Sequence, residues 1–252
     1  MSKINVISHR GANKYAPQNT IPAFKKSLEI GVDGFETDVH MTRDGYPVIC
    51  HNYTVNEMSN GMGRVSAMTL DEFRRLDFGS YFSPEFKGTK GPTLDEFLSV
   101  CENADIEIMN IELKPPLNGE VGIVYKTIEK VKEHGLFDKL LISSFDYKLL
   151  VECKHVDEKC RTGYLYSPDK TDSLKMWYRP VDFAKEIKAD YLHPFSFYVT
   201  KFYVDAAHKA GIGVNPWTVD NTLEIKRMIF DGVDGIITNV PDKVKKIIAE
   251  TK

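Results

Sequence analysis

Cysteine is scarce in this 252-residue chain, and the four present, Cys50, Cys101, Cys153 and Cys160, form no C-x-x-C pair. That spacing argues against a zinc knuckle and leaves reduced thiols as the expectation. An excess of positive charge is also lacking: the formal net charge is −3, so no basic surface of the kind nucleic acid or anionic lipid demands is expected. No stretch approaches the roughly 18 apolar residues of a membrane span. The opening, Met1-Ser2-Lys3-Ile4-Asn5, runs into a short apolar segment without the h-region and cleavage site of a signal peptide. A cytoplasmic protein that binds no nucleic acid and does not insert stably in membranes is the expectation.

What is present is enough apolar residue, 42% against 27% charged, to bury a large core. We read residues 1–252 as one domain. Within it, Gly34-Phe35-Glu36-Thr37-Asp38-Val39 stands out. Side chains along a strand alternate faces, so Glu36 and Asp38 point one way while Phe35, Thr37 and Val39 point the other. Two like charges roughly 5–7 Å apart in a half-buried place need a shared proton or a bound cation. An exposed acidic strand end is the ordinary structural explanation, and the rest of the chain has to decide between them.

Short β-branched runs alternate with helical segments from one end to the other. Strands are expected at Ile4–Ser8, Gly34–Val39, Ile106–Leu113, Leu140–Ser144, Thr162–Tyr166, Asp190–His193, Gly213–Trp217 and Gly235–Ile237, with helices between them. Asp44-Gly45 favours a tight reversal, making Pro47–His51 a hairpin arm that folds His51 back toward Glu36 and Asp38. Residues 52–92 read as an excursion from this scaffold, a small subdomain with its own core built on Phe78, Tyr81, Phe82 and Phe86. Eight βα units in this length match a (β/α)8 TIM barrel with a small insertion after the second strand, the doubly wound sheet being the competitor.

In either arrangement ligands sit at the carboxyl ends of the strands. The first strand ends at His9-Arg10, the second carries Glu36 and Asp38, the arm ends at His51, and the third holds Glu112 and Lys114 on one face. Three carboxylates with no cysteine or clustered histidine make an oxygen-rich site suited to Mg2+ or Ca2+. Two histidines exchange protons near neutral pH, and Arg10 and Lys114 supply charge for an anion. Taken singly, each has a bland explanation: a hydrogen-bonded strand-end histidine for His9 and for His51, and a surface ion pair for Glu112 and Lys114. Taken together, they suit hydrolysis of a phosphate ester.

At these residues the chain resembles the glycerophosphodiester phosphodiesterases. The shared motifs are His9-Arg10-Gly11, Ala16-Pro17-Gln18-Asn19-Thr20, Glu36-Thr37-Asp38-Val39, Asp44-Gly45-Tyr46-Pro47-Val48, His51, Thr69-Leu70-Asp71-Glu72-Phe73, Glu112-Leu113-Lys114 and Trp217-Thr218-Val219. The resemblance implies a TIM barrel that hydrolyses small-molecule phosphodiesters, deacylated phospholipids such as glycerophosphocholine, to glycerol 3-phosphate and an alcohol. It implies that Glu36, Asp38 and Glu112 hold a divalent cation, that His9 and His51 are the acid–base pair, and that Arg10 and Lys114 contact the phosphate. Tyr166, Phe195, Tyr198 and Trp217 are candidates for lining the substrate pocket.

Two positions depart from the family pattern. Gln18 stands where a glutamate is usual, and Asn52 where His-Asp is usual, each losing a charge beside a residue the chemistry uses. Two rival readings remain: a lipid-directed phospholipase on a similar barrel, and a non-catalytic phosphodiester-binding protein.

Overall fold

The computed structural model describes residues 3–116, 122–167 and 178–251. Among the described residues nine strands are found: β1 (Asn5–His9), β2 (Gly34–Met41), β3 (Pro47–Ile49), β4 (Ile108–Leu113), β5 (Leu140–Ser144), β6 (Arg161–Tyr166), β7 (Tyr191–Pro194), β8 (Gly213–Val214) and β9 (Gly235–Thr238). Eight are parallel, in the order β8-β7-β6-β5-β4-β2-β1-β9, and β3 alone runs antiparallel, against β2. The seam between the first and last of that order is bridged by Asp234 N donating to Val214 O at 3.0 Å and Ile237 N to Pro216 O at 3.1 Å. The result is a nearly closed barrel of the TIM type, not the doubly wound sheet.

Among the described residues the helices between strands are α1 (Ile21–Ile30), α2 (Leu70–Arg75), α3 (Leu94–Glu102), α4 (Ile123–Glu133), α5 (Tyr147–Val156), α6 (Pro180–Glu186), α7 (Lys201–Lys209), α8 (Thr222–Asp231) and α9 (Pro241–Thr251). Their ends are written locally. Thr69 and Thr93 open α2 and α3 with capping boxes closed by Glu72 and Glu96. Gly31 and Gly232 stop α1 and α8 in the left-handed conformation. No described helix is long and apolar enough to cross a membrane.

Period-2 alternation sorts each strand between two interiors. Outward from the barrel, Phe35 of β2 packs with Phe24 of α1 and Phe97 of α3, ring centroids 4.7–6.0 Å apart. Inward, Ile7, Ile108, Leu141 and Ile237 form an apolar plug, with Tyr191 and Trp217 against it. Polar residues of the same inward parity lie above that plug, at the carboxyl ends.

Two sequence expectations need correction. The strand expected over Gly213–Trp217 stops at Val214, because Pro216 has no N–H to continue a ladder. The backbone still runs beside β7, with Trp217 N donating to Pro194 O at 3.1 Å. In the excursion, Phe78 is buried with Val48, Cys50, Val55, Val65 and Phe73, but Tyr81 and Phe82 are exposed and meet edge-on along the surface toward Phe86. The small core rests on Phe73 and Phe78, not on the four aromatics of residues 78–86.

Candidate active site

Register fixes which side chains meet. His9 pairs with Glu36 and Glu36 with Asn110 across β1, β2 and β4; two residues further on, Asp38 pairs with Glu112. Inward-facing polar groups therefore form two levels, with His9, Glu36 and Asn110 below and Asp38 and Glu112 above. The arm closes the third side: Cys50 N donates to Asp38 O at 3.0 Å, which turns His51 back to the level of the carboxylates. The loop after β1 turns tightly because Gly11 adopts φ +78° and a Cβ there would lie 2.7 Å from that of Ala23. Arg10 takes φ +56°, and its N–H donates to a Glu36 carboxylate oxygen at 3.1 Å.

Glu36, Asp38 and Glu112 are all buried and each offers an oxygen within 4.8 Å of the other two. Lys114 Nζ lies 2.8 Å from Asp38 and also donates to Glu112, while Arg10 Nε is 3.4 Å from Asp38 and Asn19 Nδ2 donates to it at 2.8 Å. Burial pushes the Asp38 carboxyl up, but Lys114 and Arg10 outweigh it and hold it well below the usual range. Arg10 and Lys114 also lower Glu36, but less strongly. Burial, then Asp38 and Glu112, push it well above the usual range. Three carboxylates against two cations leave one negative charge in excess, and Glu36 carries it unless it takes a proton or a cation. The all-oxygen donor set fits a hard divalent ion.

Both histidines are held in one tautomer by an asparagine backed by a carboxylate. Asp220 accepts from Asn239 Nδ2 at 2.6 Å, so the Asn239 carbonyl faces His9 Nδ1 at 2.7 Å. Glu57 accepts from Asn52 Nδ2 at 2.7 Å, so the Asn52 carbonyl faces His51 Nδ1 at 2.6 Å. An amide carbonyl only accepts; both Nδ1 atoms must carry the proton, leaving Nε2 free for chemistry. Burial, together with the positive charge of Arg10, lowers His9 to about 3. Burial also lowers His51 to about 4, with Lys114 and Arg10 working against the Asp38 charge.

A cavity of about 210 Å3 lies over these groups, bounded on one side by His9, Arg10, Glu36, His51, Asn110 and Glu112 and on the other by Phe145, Leu165, Trp217 and Ile237. The Trp217 indole is fixed by Nε1 donating to His193 O at 2.7 Å and meets Phe145 edge-on. Beyond His51, Glu112 and Phe145 an open groove of about 590 Å3 continues past Asn52, Tyr53, Glu57 and Lys114. Of the expected residues, His9, Arg10, Glu36, His51, Glu112 and Trp217 line the cavity; Asp38 lies behind it and Lys114 faces the groove. Tyr166, Phe195 and Tyr198 do not border the cavity.

The residues 9–243 match the sequence profile of the glycerophosphoryl diester phosphodiesterase family. The chain belongs to that family. It is 37% identical over 246 residues, 98% of each chain, to a glycerophosphodiester phosphodiesterase of Caldanaerobacter subterraneus, and 32% identical to one of Bacillus altitudinis over 98% of this chain and 99% of that one. An Oleispira antarctica phosphodiesterase, solved in complex with the product sn-glycerol-3-phosphate, superimposes with a TM-score of 0.89 at 27% identity, over 97% of this chain and 96% of that one. Membership makes this a metal-dependent phosphoric diester hydrolase.

The sequence alone assigned no role to four further residues that the site uses. Asn239 and Asp220 orient His9 across some 230 positions of chain. Asn19 braces Asp38, its own carbonyl taking the Thr37 hydroxyl at 2.8 Å. Asn110 lines the cavity, 1% exposed, with neither amide atom bonded to a described residue. Its parity with Glu112 was the available signal.

Proposed function

We propose that the 210 Å3 cavity takes the glycerol phosphate half of a glycerophosphodiester and that the groove takes the alcohol. The supporting observation is that two histidines of fixed tautomer, Arg10, Glu36 and Glu112 line one cavity, with Asp38 directly behind it completing the carboxylate cluster and Lys114 at the adjoining groove. Glu36, Asp38 and Glu112 would hold Mg2+ or Ca2+, which when bound offsets the charge building up on the phosphate oxygens. Arg10 and Lys114 add their charges to the phosphate side, and Trp217 with Phe145 forms the wall against the glycerol carbons.

His9 borders only the closed cavity, whereas His51 borders both spaces. His9 Nε2, neutral, therefore takes the proton of the glycerol hydroxyl next to the phosphate as its oxygen attacks phosphorus, and His51, which enters this step as the imidazolium, gives its Nε2 proton to the alcohol oxygen as the P–O bond breaks. Water then opens the cyclic phosphate with the two roles exchanged, so the sum is one diester and one water giving glycerol 3-phosphate and one alcohol. Residues 1–252 act as one catalytic domain, with 52–92 inserted, on a water-soluble substrate in the cytoplasm. The four buried thiols accord with a reducing compartment.

The test is release of glycerol 3-phosphate with Mg2+, with Ca2+ and with a chelator, for wild type, His9→Ala and His51→Ala. Loss in the chelator is expected, and each variant falls by about 10²–10⁴-fold. A diester with a good leaving group, such as a nitrophenol, restores much of the rate to His51→Ala and little to His9→Ala. Hydrolysis that survives both alanines defeats the reading.

A further inference from the structure

We infer that Glu57 selects substrates whose alcohol carries a positive charge. The inference rests on the phosphodiesterase reading above and adds to it the class of head group. His51, Glu112 and Phe145 belong to both the closed cavity and the open groove, so the reacting phosphorus sits at that junction and the departing alcohol extends along the groove. Two charged side chains border the groove beyond the junction, Glu57 and Lys114. Lys114 is held against Asp38 and Glu112, so its charge serves the carboxylate and phosphate end of the groove. Glu57 is not so held: among the described residues no cation lies within 4.0 Å of it, and its partner is the neutral amide of Asn52 at 2.7 Å. That bond ties the carboxylate, through Asn52, to the histidine facing the leaving oxygen. A negative charge is thus held at short reach from where the alcohol begins, with Tyr53 and Phe145 as aromatic borders of the same space. An ammonium or trimethylammonium group two carbons from the scissile oxygen matches that charge; a polyol does not.

The experiment compares kcat and KM for glycerophosphocholine and glycerophosphoethanolamine with those for the neutral-alcohol diesters glycerophosphoglycerol and glycerophosphoinositol, in wild type, Glu57→Gln and Glu57→Lys. Glu57 is exposed, so both variants fold. Glu57→Gln lowers the ratio of kcat/KM, cationic over neutral, by about two- to fivefold, the range of an exposed ion pair, chiefly through KM. Glu57→Lys lowers it further. An unchanged ratio overturns the inference. So does an equal loss of kcat on all four diesters with KM unmoved, which assigns Glu57 to His51 as a positioning residue. Wild type that hydrolyses none of the four removes the parent reading and this one with it, whereas wild type that hydrolyses all four with an unchanged ratio removes this one alone.

Discussion

His9 and His51 present the same tautomer to the same cavity, yet what stands behind them differs. Asn239, behind His9, follows the last strand directly. Its side-chain amide takes part in three bonds, to His9, Asn13 and Asp220, its backbone N–H adds a fourth, to Asp220, and Asp220 also accepts from Thr238. Asn52, behind His51, sits on the loop leaving the arm and leans on the exposed Glu57. One histidine is oriented by the barrel frame, the other by the insertion. The frame is common to any chemistry run on this barrel, while the insertion is where substrate choice can change without moving the carboxylates. The contrast makes His9 the fixed half of the site and His51 the adjustable half.

The widest split is expected from removing each amide. Asn239→Ala frees His9 Nδ1 and strands Asn13, and kcat falls by about 10- to 100-fold, a large share of what a general base contributes. Asn52→Ala falls by about three- to tenfold, since water reaches the exposed Glu57 side and can replace the lost acceptor. Steady-state kinetics on one diester decides it. Equal losses would mean that the frame confers no advantage.

A smaller effect sharpens the same contrast from the other side. Asn52→Asp puts a carboxylate against His51, whose pKa burial and the nearby cations lower to about 4. A neighbouring negative charge favours the imidazolium, so the folded pKa rises, by about one unit at this partly exposed position. More His51 is then protonated at any pH above that value. A histidine NMR titration reads the shift directly. A pKa that stays near 4 would show that Glu57 already supplies the charge through Asn52.

These pairs also mark where sequence stops being sufficient. The carboxylates were legible because a strand has period 2: Glu36 with Asp38, and Glu112 with Lys114, share a face wherever the strand runs, and adjacent parallel strands bring the pairs together. His51 was legible because Asp44-Gly45 dictates a reversal. The brace behind His9 was not, because Asp220 and Asn239 approach it only when the barrel closes, and nothing local near His9 points to them. Asn52 read as the loss of a charge, since the geometry that brings Glu57 back to it depends on the path of an irregular loop. The exposed Tyr81 and Phe82 were assigned to a core for a related reason: in a segment without periodicity, aromatic composition says nothing of which face is buried.

Gln18 is expected to have the mildest effect; it sits on the frame loop after β1 but turns its amide to Met58 of the insertion. Arg10 Nη1 donates to Gln18 Oε1 at 2.7 Å, and Gln18 Nε2 turns to the Met58 sulfur, a weak acceptor. Gln18→Glu keeps the first bond and gives up the amide's contacts with Met58 and Tyr81, so the geometry of Arg10 survives. What changes is charge: Arg10 already lies against Asp38 at 3.4 Å, and a second carboxylate draws its guanidinium further from an incoming phosphate. KM should rise by about two- to fivefold with kcat nearly unchanged, the scale of a partly exposed ion pair. A fall in KM would reverse the argument. It would mean that orientation of Arg10, rather than the availability of its charge, limits phosphate binding, and that even the frame side of this site is held loosely enough to be tightened.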